Sequence, residues 1–329
     1  MDPLTCEAAT TSNYETVGAY SEDLVLTGSV SDETMRAYMP DARRAARLFG
    51  DMGVTFDQIR IEHLKEFVRR LESLTDRPGG LSRGRMKGVF SQLNSLMEFL
   101  VFHEMAEYNV VPAFRKRYLR SYKASSTAST RRRVPSDEDL AAMIYSIPDS
   151  RDRAIHMLMA KTGISNKDLR ELDLGDVDLA GKWVTSKQQD KRSTRMHPMD
   201  EECADVLESY FRSLPSYPRN EGEQALFTNR DGGRLIRKAV TRIVHKHAQR
   251  AGLHDPGADR TEQHLKFGPH HYRHWFTTSL SRNGCPPRII RELRGDAPKE
   301  AMDAYDHITH EELQEQYITH IPRLASAMG

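Results

Sequence analysis

Apolar residues in the first third of the chain recur at spacings of three and four, which is the period of an amphipathic helix. Two stretches show it most clearly, and their apolar residues are Leu64, Phe67, Val68, Leu71, Met86, Val89, Phe90, Leu93, Leu96, Met97 and Leu100. No alternating pattern typical of a strand interrupts them. The pattern predicts a helical bundle over 21–120, preceded by a polar, flexible tail over 1–20.

The pattern changes in the second part of the chain, 136–329. Ser136, followed by Asp139, is typical of a helix start, and a helix over 154–161 should end at Gly163. Residues 182–185 and 195–199 alternate and predict a short hairpin. Further helices are expected near 200–212, 235–251, 270–283 and 287–294. The expected fold class is therefore mainly α with a small β-sheet, the second domain being α+β.

A basic stretch joins the two parts, because 108–136 contains no acidic residue. Its basic residues are Arg115, Lys116, Arg117, Arg120, Lys123, Arg131, Arg132 and Arg133, and the aromatic residues among them are Phe114, Tyr118 and Tyr122. We interpret 121–135 as a linker. It is either a solvated hinge or a strap along a phosphate backbone, in which case Arg115, Lys116, Arg117 and the triplet Arg131, Arg132, Arg133 bind DNA.

Composition narrows the class of protein. The 48 basic and 47 acidic side chains nearly cancel, so net charge identifies no partner. Cys6, Cys203 and Cys285 are far apart, which fits neither a disulfide framework nor a zinc site. With 38% hydrophobic residues, no signal segment and no apolar run long enough to span a bilayer, we expect an intracellular protein without metal or membrane.

The segment from Pro269 to His274 carries the most chemistry. On a helix His270, Arg273 and His274 share one face. They lie at the helix start, where free N–H groups and the helix dipole favour an anion. A guanidinium and an imidazole there suit a phosphodiester, although this motif alone also fits a surface pair.

The order of residues after this helix is more specific. Arg294-Gly295-Asp296 follows it, and Tyr305 comes nine residues after Asp296. This order resembles the end of the catalytic domain of the tyrosine recombinases, the phage integrase family. There a proline-led H-x-x-R-H helix precedes a Leu-x-Gly-His turn and then the nucleophilic tyrosine.

The resemblance covers nearly the whole chain. Thr162-Gly163 with Asp168-Leu169 is similar to the family's T-G-L-R-x-x-E-L segment, and Arg195 to Met199 is similar to its R-x-x-P-L strand. The N-terminal bundle resembles the SAM-like core-binding domain. The sequence motifs Arg294-Gly295-Asp296 and Tyr305-Asp306-His307 resemble those of archaeal, especially haloarchaeal, integrases.

The resemblance implies roles for individual residues. Tyr305 would attack the scissile phosphate and hold the strand as a 3′-phosphotyrosine, without a metal ion or cofactor. Arg273 would neutralise charge on the non-bridging oxygens, and His270 would bind the same phosphate and assist proton transfer. A hairpin lysine would protonate the leaving 5′-oxygen; Lys191 is the first choice and Lys187 the alternate.

Two positions depart from the family pattern. Ser165 stands where the family has its first catalytic arginine, and serine supplies no cationic clamp; Lys167 or Arg170 would have to substitute. Asp296 replaces the histidine of the Leu-x-Gly-His turn. Because a carboxylate repels a phosphate, we expect Asp296 to orient Arg273 or a histidine such as His274 rather than contact DNA.

The leading hypothesis is a site-specific DNA recombinase that serves a mobile element or resolves replicon multimers. It would act on double-stranded DNA as a homotetramer, be a monomer or dimer when free, and work in the cytoplasm at the nucleoid. A catalytically impaired DNA-binding homologue, acting as a regulator or architectural factor, is the alternative that Ser165 favours. A type IB-like topoisomerase is a third hypothesis, against which the N-terminal bundle and the basic hinge argue.

Overall fold

The computed structural model describes residues 2–28, 30, 32–73, 81, 83–119, 134–187, 195–258, 262–296 and 308–328. The chain forms two compact units, Met1–Thr127 and Ala128–Gly329, and the division falls within the stretch interpreted as a basic linker. No helix in the described ranges has the length and apolar character needed to cross a bilayer.

Every regular element that the structure describes in the N-terminal unit is a helix, as the sequence predicts. Its helices are α1 (Pro3–Leu26), α2 (Asp32–Gly50), α3 (Ile61–Ser73), α4 (Arg83–Phe102) and α5 (Val111–Tyr118). Aromatic side chains from four segments form the centre of the core: Phe49 stacks on Phe67 at 4.7 Å and Phe90 stacks on Phe114 at 5.3 Å between ring centroids. The predicted faces of α3 and α4 are the buried ones.

The expected flexible tail over 1–20 is wrong, because this segment belongs to α1 and packs against α2. Asp2 caps the helix, and Val17 and Tyr20 enter the core. At the centre of the buried face stands Asn13, whose Nδ2 donates to the Val54 carbonyl at 2.9 Å. Its Oδ1 accepts from the Phe56 amide at 2.9 Å. An asparagine in a core position interrupts the apolar pattern, and its hydrogen bonds become visible only in the folded chain.

The C-terminal unit is built around one helix on which two others pack. Its helices are α6 (Asp137–Tyr145), α7 (Ser150–Thr162), α8 (Asn166–Glu171), α9 (Glu201–Ser213), α10 (Arg237–Arg250), α11 (Pro269–Arg282), α12 (Pro287–Arg294) and α13 (His310–His320). Every residue of α7 from Ala154 to Thr162 is buried, and this helix packs against both α9 and α11. Helix α7 is therefore the element against which the C-terminal unit is assembled.

A small antiparallel sheet lies beside these helices, in the order β1 (Val177–Asp178), β2 (Trp183–Ser186) and β3 (Arg195–Pro198). Trp183 pairs with Pro198, and Ser186 pairs with Arg195. The predicted hairpin is confirmed, and so is the mainly helical fold class with one small sheet.

A buried charge cluster attaches the C-terminal segment to α7. Nζ of Lys161, which is fully buried, lies 2.6 Å from Asp200, contacts Glu202, and donates to the Pro322 carbonyl at 2.7 Å. Glu202 in turn accepts from the backbone amide of Leu324 at 2.9 Å. Burial acts to raise the pKa of Glu202, but hydrogen bonds from Lys161 and Tyr145 outweigh it and lower the pKa. Glu202 therefore stays ionised at neutral pH, and the cluster holds Pro322 and Leu324 on the core.

Candidate active site

Helix α11 begins at Pro269, and its first turn presents the predicted phosphate-binding residues. The Gly268 amide donates to Nδ1 of His271 at 3.0 Å, which closes the start of the helix. His270 and His274 are exposed, and their rings meet edge to face at 4.6 Å between centroids. The structure thus places His270, Arg273 and His274 at one helix start, as their spacing predicts.

Arg273 is held by two backbone carbonyls. Its Nη1 donates to the Gly163 carbonyl at 3.0 Å and its Nη2 to the Arg294 carbonyl at 2.5 Å. The side chain retains only 13% of its exposure. Because the guanidinium is planar and permanently charged, two fixed acceptors set its orientation and leave it a cation. Such a preorganised cation is what a developing negative charge on a phosphate requires.

Gly163, which supplies one of these carbonyls, ends α7 in the left-handed conformation with φ at +62°. Residues with a side chain rarely adopt this conformation, which favours glycine here. A side chain is excluded for a second reason. A Cβ on Gly163 would lie 2.6 Å from Cδ1 of Phe276, which belongs to α11. The glycine therefore lets α7 and α11 approach closely enough for its carbonyl to reach Arg273.

Asp296 lies beside the same guanidinium. Helix α12 ends at Gly295 with φ at +64°, and the next residue places its Oδ1 3.6 Å from Nη2 of Arg273. Its Oδ2 lies 3.3 Å from Nη1 of Arg294. The carboxylate thus faces two arginines at the turn where the family motif has a histidine. The expected role of Asp296 in orienting Arg273 stays a prediction.

Ser165 caps α8. Its Oγ accepts from the Asp168 amide at 3.2 Å and donates to Oδ2 of Asp168 at 2.7 Å. Of the two residues considered as substitutes for the missing cation, Arg170 donates from Nε to the Asn166 carbonyl at 3.2 Å and Lys167 is exposed. The position two residues after Gly163 therefore holds a helix cap and no positive charge.

A model of the phage integrase family matches residues 137–312, which is more than half of the chain. The chain belongs to this family, the tyrosine recombinases. It is accordingly an enzyme of the DNA breaking-and-rejoining type.

Relatives resemble the chain over most of its length. Tyrosine recombinase XerD of Mycobacterium tuberculosis is 26% identical over 319 residues, covering 92% of this chain and 96% of the relative. XerD of Chlorobaculum tepidum is 23% identical over 310 residues, covering 94% and 97%. The resemblance of the motif around Asp296 to archaeal integrases stays a prediction.

Solved structures show the same fold. The integrase of transposon Tn1549 in complex with circular intermediate DNA has a TM-score of 0.65 at 17% identity, covering 92% of this chain and 98% of that chain. XerH site-specific recombinase, bound to a palindromic difH substrate, has a TM-score of 0.63 at 18% identity, covering 86% and 78%. At these identities the likeness concerns the fold alone.

Of the two hairpin lysines considered for this tyrosine recombinase, Lys187 is described and Lys191 is not. Lys187 follows β2, and its Nζ lies 2.5 Å from Oδ2 of Asp173, which also binds Arg234. Burial acts to raise the pKa of Asp173, but hydrogen bonds from Lys187 and Arg234 lower it overall. Lys187 is thus held by a carboxylate.

Several predicted residues lie outside the described residues. They are Tyr305, Lys191, and Arg131, Arg132 and Arg133. Their roles stay predictions. Within the described ranges, no group of three or more His, Cys, Asp or Glu side chains could hold a metal ion.

The basic residues before the linker lie on α5. Lys116 and Arg117 are exposed and Arg115 is half-buried, so their charges are available on the surface. Two of the aromatic residues interleaved with these basic residues take part in packing the N-terminal unit. Phe114 is buried in the core, and Tyr118 stacks on it at 4.8 Å between ring centroids. Helix α5 therefore has an apolar face directed inward and a basic face directed outward.

Sequence reasoning missed the groups that fix Arg273 and Lys187. The two acceptors of Arg273 are backbone carbonyls, which carry no sequence signal. Asp173 gave no signal either, because its partner Arg234 is distant along the chain. The one available signal was Gly163, since a glycine is typical of a helix end and here supplies one of the two carbonyls.

Proposed function

We propose that the protein is a site-specific recombinase that cuts and rejoins duplex DNA through a 3′-phosphotyrosine on Tyr305. The observation that carries the proposal is Arg273, fixed by the carbonyls of Gly163 and Arg294 beside the exposed His270. A fixed cation next to an exposed imidazole at a helix start suits an anionic group such as a phosphodiester.

The reaction is an exchange of phosphodiester bonds. The phenol oxygen of Tyr305 attacks the scissile phosphorus, the bond to the 5′-oxygen breaks, and the strand stays attached to the tyrosine through its 3′-phosphate. Arg273 neutralises the non-bridging oxygens while His270 hydrogen-bonds the same phosphate and assists proton transfer. A hairpin lysine, Lys191 or Lys187, protonates the leaving 5′-oxygen. Attack by a 5′-hydroxyl reverses these steps and rejoins the strand.

Duplex DNA is the partner, and a homotetramer is the active assembly. The exposed basic residues Lys116 and Arg117 on α5 support DNA binding by the N-terminal unit, since cations on one face neutralise phosphates. The related Tn1549 integrase and XerH were solved with DNA bound. The tetramer follows from family analogy, since exchange between two duplexes involves four strand cleavages. The substrate places the enzyme in the cytoplasm, at the nucleoid.

The test is to trap the covalent intermediate. DNA duplexes that bind the protein are first selected from a randomised library. Each is then resynthesised with a nick beside a candidate cleavage position. Cleavage there releases a short fragment that diffuses away, so the strand cannot be religated and the covalent intermediate accumulates. The wild type should form a protein–DNA adduct that survives denaturation, with or without a chelator. Tyr305→Phe should bind the same duplex and form none. An adduct in that variant would exclude Tyr305 as the nucleophile.

The alternative of a DNA-binding homologue that does not cut has one observation in its favour. Ser165 caps α8 and bonds to Asp168, so the position that the resemblance assigns to the family's first arginine carries no positive charge. A wild type that binds DNA specifically but forms no adduct on any nicked duplex would favour this alternative.

A further inference from the structure

Tyr272, the residue before Arg273, makes a buried hydrogen bond to α7. Its hydroxyl lies 2.5 Å from Nδ1 of His156, and both side chains are fully inaccessible. The two rings meet edge to face at 5.7 Å between centroids. The side chain of Tyr272 thus ties the helix that carries Arg273 to the central helix of the unit.

The protonation states of the pair follow from its burial. Burial, reinforced by the nearby His247, lowers the pKa of His156 to about 3. Burial likewise raises the pKa of Tyr272. At neutral pH the imidazole is therefore uncharged and the phenol protonated, so the Tyr272 hydroxyl donates to a lone pair on Nδ1. Because both side chains are fully buried, either partner alone would be left with an unsatisfied polar atom, so the hydrogen bond fixes the two side chains relative to each other.

The same helix also receives Arg273. Helix α7 carries His156, and its terminal Gly163 accepts the hydrogen bond from Arg273. Tyr272 and Arg273 are consecutive residues, and consecutive side chains leave a helix about 100° apart. Two restraints in different directions, both anchored on α7, determine the rotation of α11 about its own axis.

His156 is itself held in place. Its ring meets that of His247 on α10 edge to face at 5.2 Å. Nε2 of His247 lies 2.9 Å from Oδ2 of Asp152, which is back on α7. The acceptor for Tyr272 is therefore fixed from two helices.

We propose that Tyr272 and His156 are positioning residues: their hydrogen bond sets the rotation of α11, and with it the direction in which Arg273 and His270 face the scissile phosphate. This inference rests on the proposed function. Neither side chain touches DNA, so their effect is exerted through Arg273 and His270. A bond that served only the stability of the core would affect cleavage no more than any other buried hydrogen bond of the unit.

The core offers a matched comparison. Tyr210 on α9 is also fully buried, and its hydroxyl donates to the Leu226 carbonyl at 2.7 Å. Tyr272→Phe and Tyr210→Phe each delete one buried hydroxyl hydrogen bond from the same unit. We expect both variants to lose stability, measured by thermal unfolding, and to bind the selected duplex with wild-type affinity.

Only Tyr272→Phe should slow cleavage. At saturating DNA, single-turnover formation of the phosphotyrosyl adduct should fall by at least about tenfold, since small misplacements of catalytic groups have large effects on rate. Tyr210→Phe should cleave at the wild-type rate. Equal cleavage by the two variants, at either rate, overturns the inference.

Variants of His156 provide a second line of evidence. Asparagine carries an acceptor oxygen the same number of bonds from the backbone as Nδ1, so His156→Asn should cleave close to the wild-type rate. His156→Leu has no acceptor and should be as slow as Tyr272→Phe. The double variant of His156→Leu and Tyr272→Phe should be no slower than either single variant, because both remove the same bond. Additive losses would contradict the inference.

The assay separates the two proposals. If the wild type forms the adduct and Tyr272→Phe forms it equally fast, only the positioning inference fails. If the wild type forms no adduct on DNA that it binds, the proposed function and this inference both fail.

Discussion

The carboxylate of Asp296 lies 3.6 Å from the guanidinium of Arg273, at a turn where the related motif has a histidine. We predict that Asp296→Ala slows adduct formation by roughly tenfold, because Arg273 loses the carboxylate that pairs with it and helps to orient it. DNA affinity should stay the same or rise, since a negative charge is removed. Glu292→Ala, an exposed position one turn earlier, is the control for charge alone. Faster cleavage by Asp296→Ala would mean that the carboxylate repels the phosphate.

The cap at Ser165 leads to a prediction in the opposite direction. If the family's first arginine belongs here, the site lacks one charge-assisted donor, which typically corresponds to about 10²–10³ in rate. Ser165→Arg should therefore accelerate adduct formation by at least about tenfold. Ser165→Ala should lose about 1 kcal/mol of stability with the cap and gain no rate. If the wild type cleaves briskly and Ser165→Arg does not change the rate, residue 165 does not occupy the position of the family's first arginine.

The two hairpin lysines can be separated with a substrate that has sulfur in place of the 5′-bridging oxygen. A thiolate leaves without protonation, so this substrate restores only a variant that lacks the general acid. From its spacing to Arg195 we expect Lys191→Ala to be slow on normal DNA and restored by sulfur, while Lys187→Ala is not. If the result is reversed, Lys187 is the acid. In that case Asp173→Asn, which weakens the ion pair of Lys187, should accelerate cleavage.

The linker triplet can be tested through salt dependence. Replacing Arg131, Arg132 and Arg133 with alanine should weaken DNA binding to a similar extent for all sequences. The magnitude of the slope of log affinity against log salt should fall by up to about three units. With three fewer phosphate contacts, binding releases fewer counterions from the DNA. Arg212→Ala, at an exposed position on α9, is the control for a change in net charge. An unchanged slope would identify the triplet as part of a solvated linker.

The charge cluster at Glu202 should govern stability. Glu202→Gln leaves the buried Lys161 short of a carboxylate, and breaking a buried pair costs about 3–5 kcal/mol in the free energy of unfolding. Urea unfolding at neutral pH measures this loss. Glu201→Gln, next to it but exposed and paired with Lys182, is the matched control and should lose far less.

The sign of the pH dependence at Glu202 follows from its lowered pKa. The folded state binds the proton more weakly than the unfolded state does, so the ion pairs contribute fully at neutral pH. This contribution is lost as the pH falls below the ordinary value of 4.5 and through the folded pKa. The difference between wild type and Glu202→Gln should narrow in that range. A constant difference would mean that Glu202 does not contribute through its charge.

Sequence alone predicted the helical class, the hairpin and the start of α11, because these follow from hydrophobic period and cap residues. It failed at α1, where Asn13 occupies a core position and satisfies its amide with distant backbone groups. It also placed Phe114 among the aromatic residues interleaved with the basic stretch and did not predict its burial, although that ring stacks on Phe90. In both cases the deciding contact joins residues far apart in the chain.

The sequence predicted only those parts of the candidate site that lie close together along the chain. His270, Arg273 and His274 share a helix, so their proximity follows from spacing. The carbonyl of Gly163, the bond from Tyr272 to His156 and the pairing of Lys187 with Asp173 depend on tertiary packing. No periodicity in the sequence encodes them.

The support of Arg273 is also protected from mutational drift. Its carbonyl acceptors belong to the main chain, so a side-chain replacement that preserves the turn cannot delete them. Ser165, two residues beyond Gly163, can therefore vary while the guanidinium keeps its place. If the family's first arginine belongs at Ser165, the scaffold that orients Arg273 is already in place, and a single codon change would supply the second cation beside it.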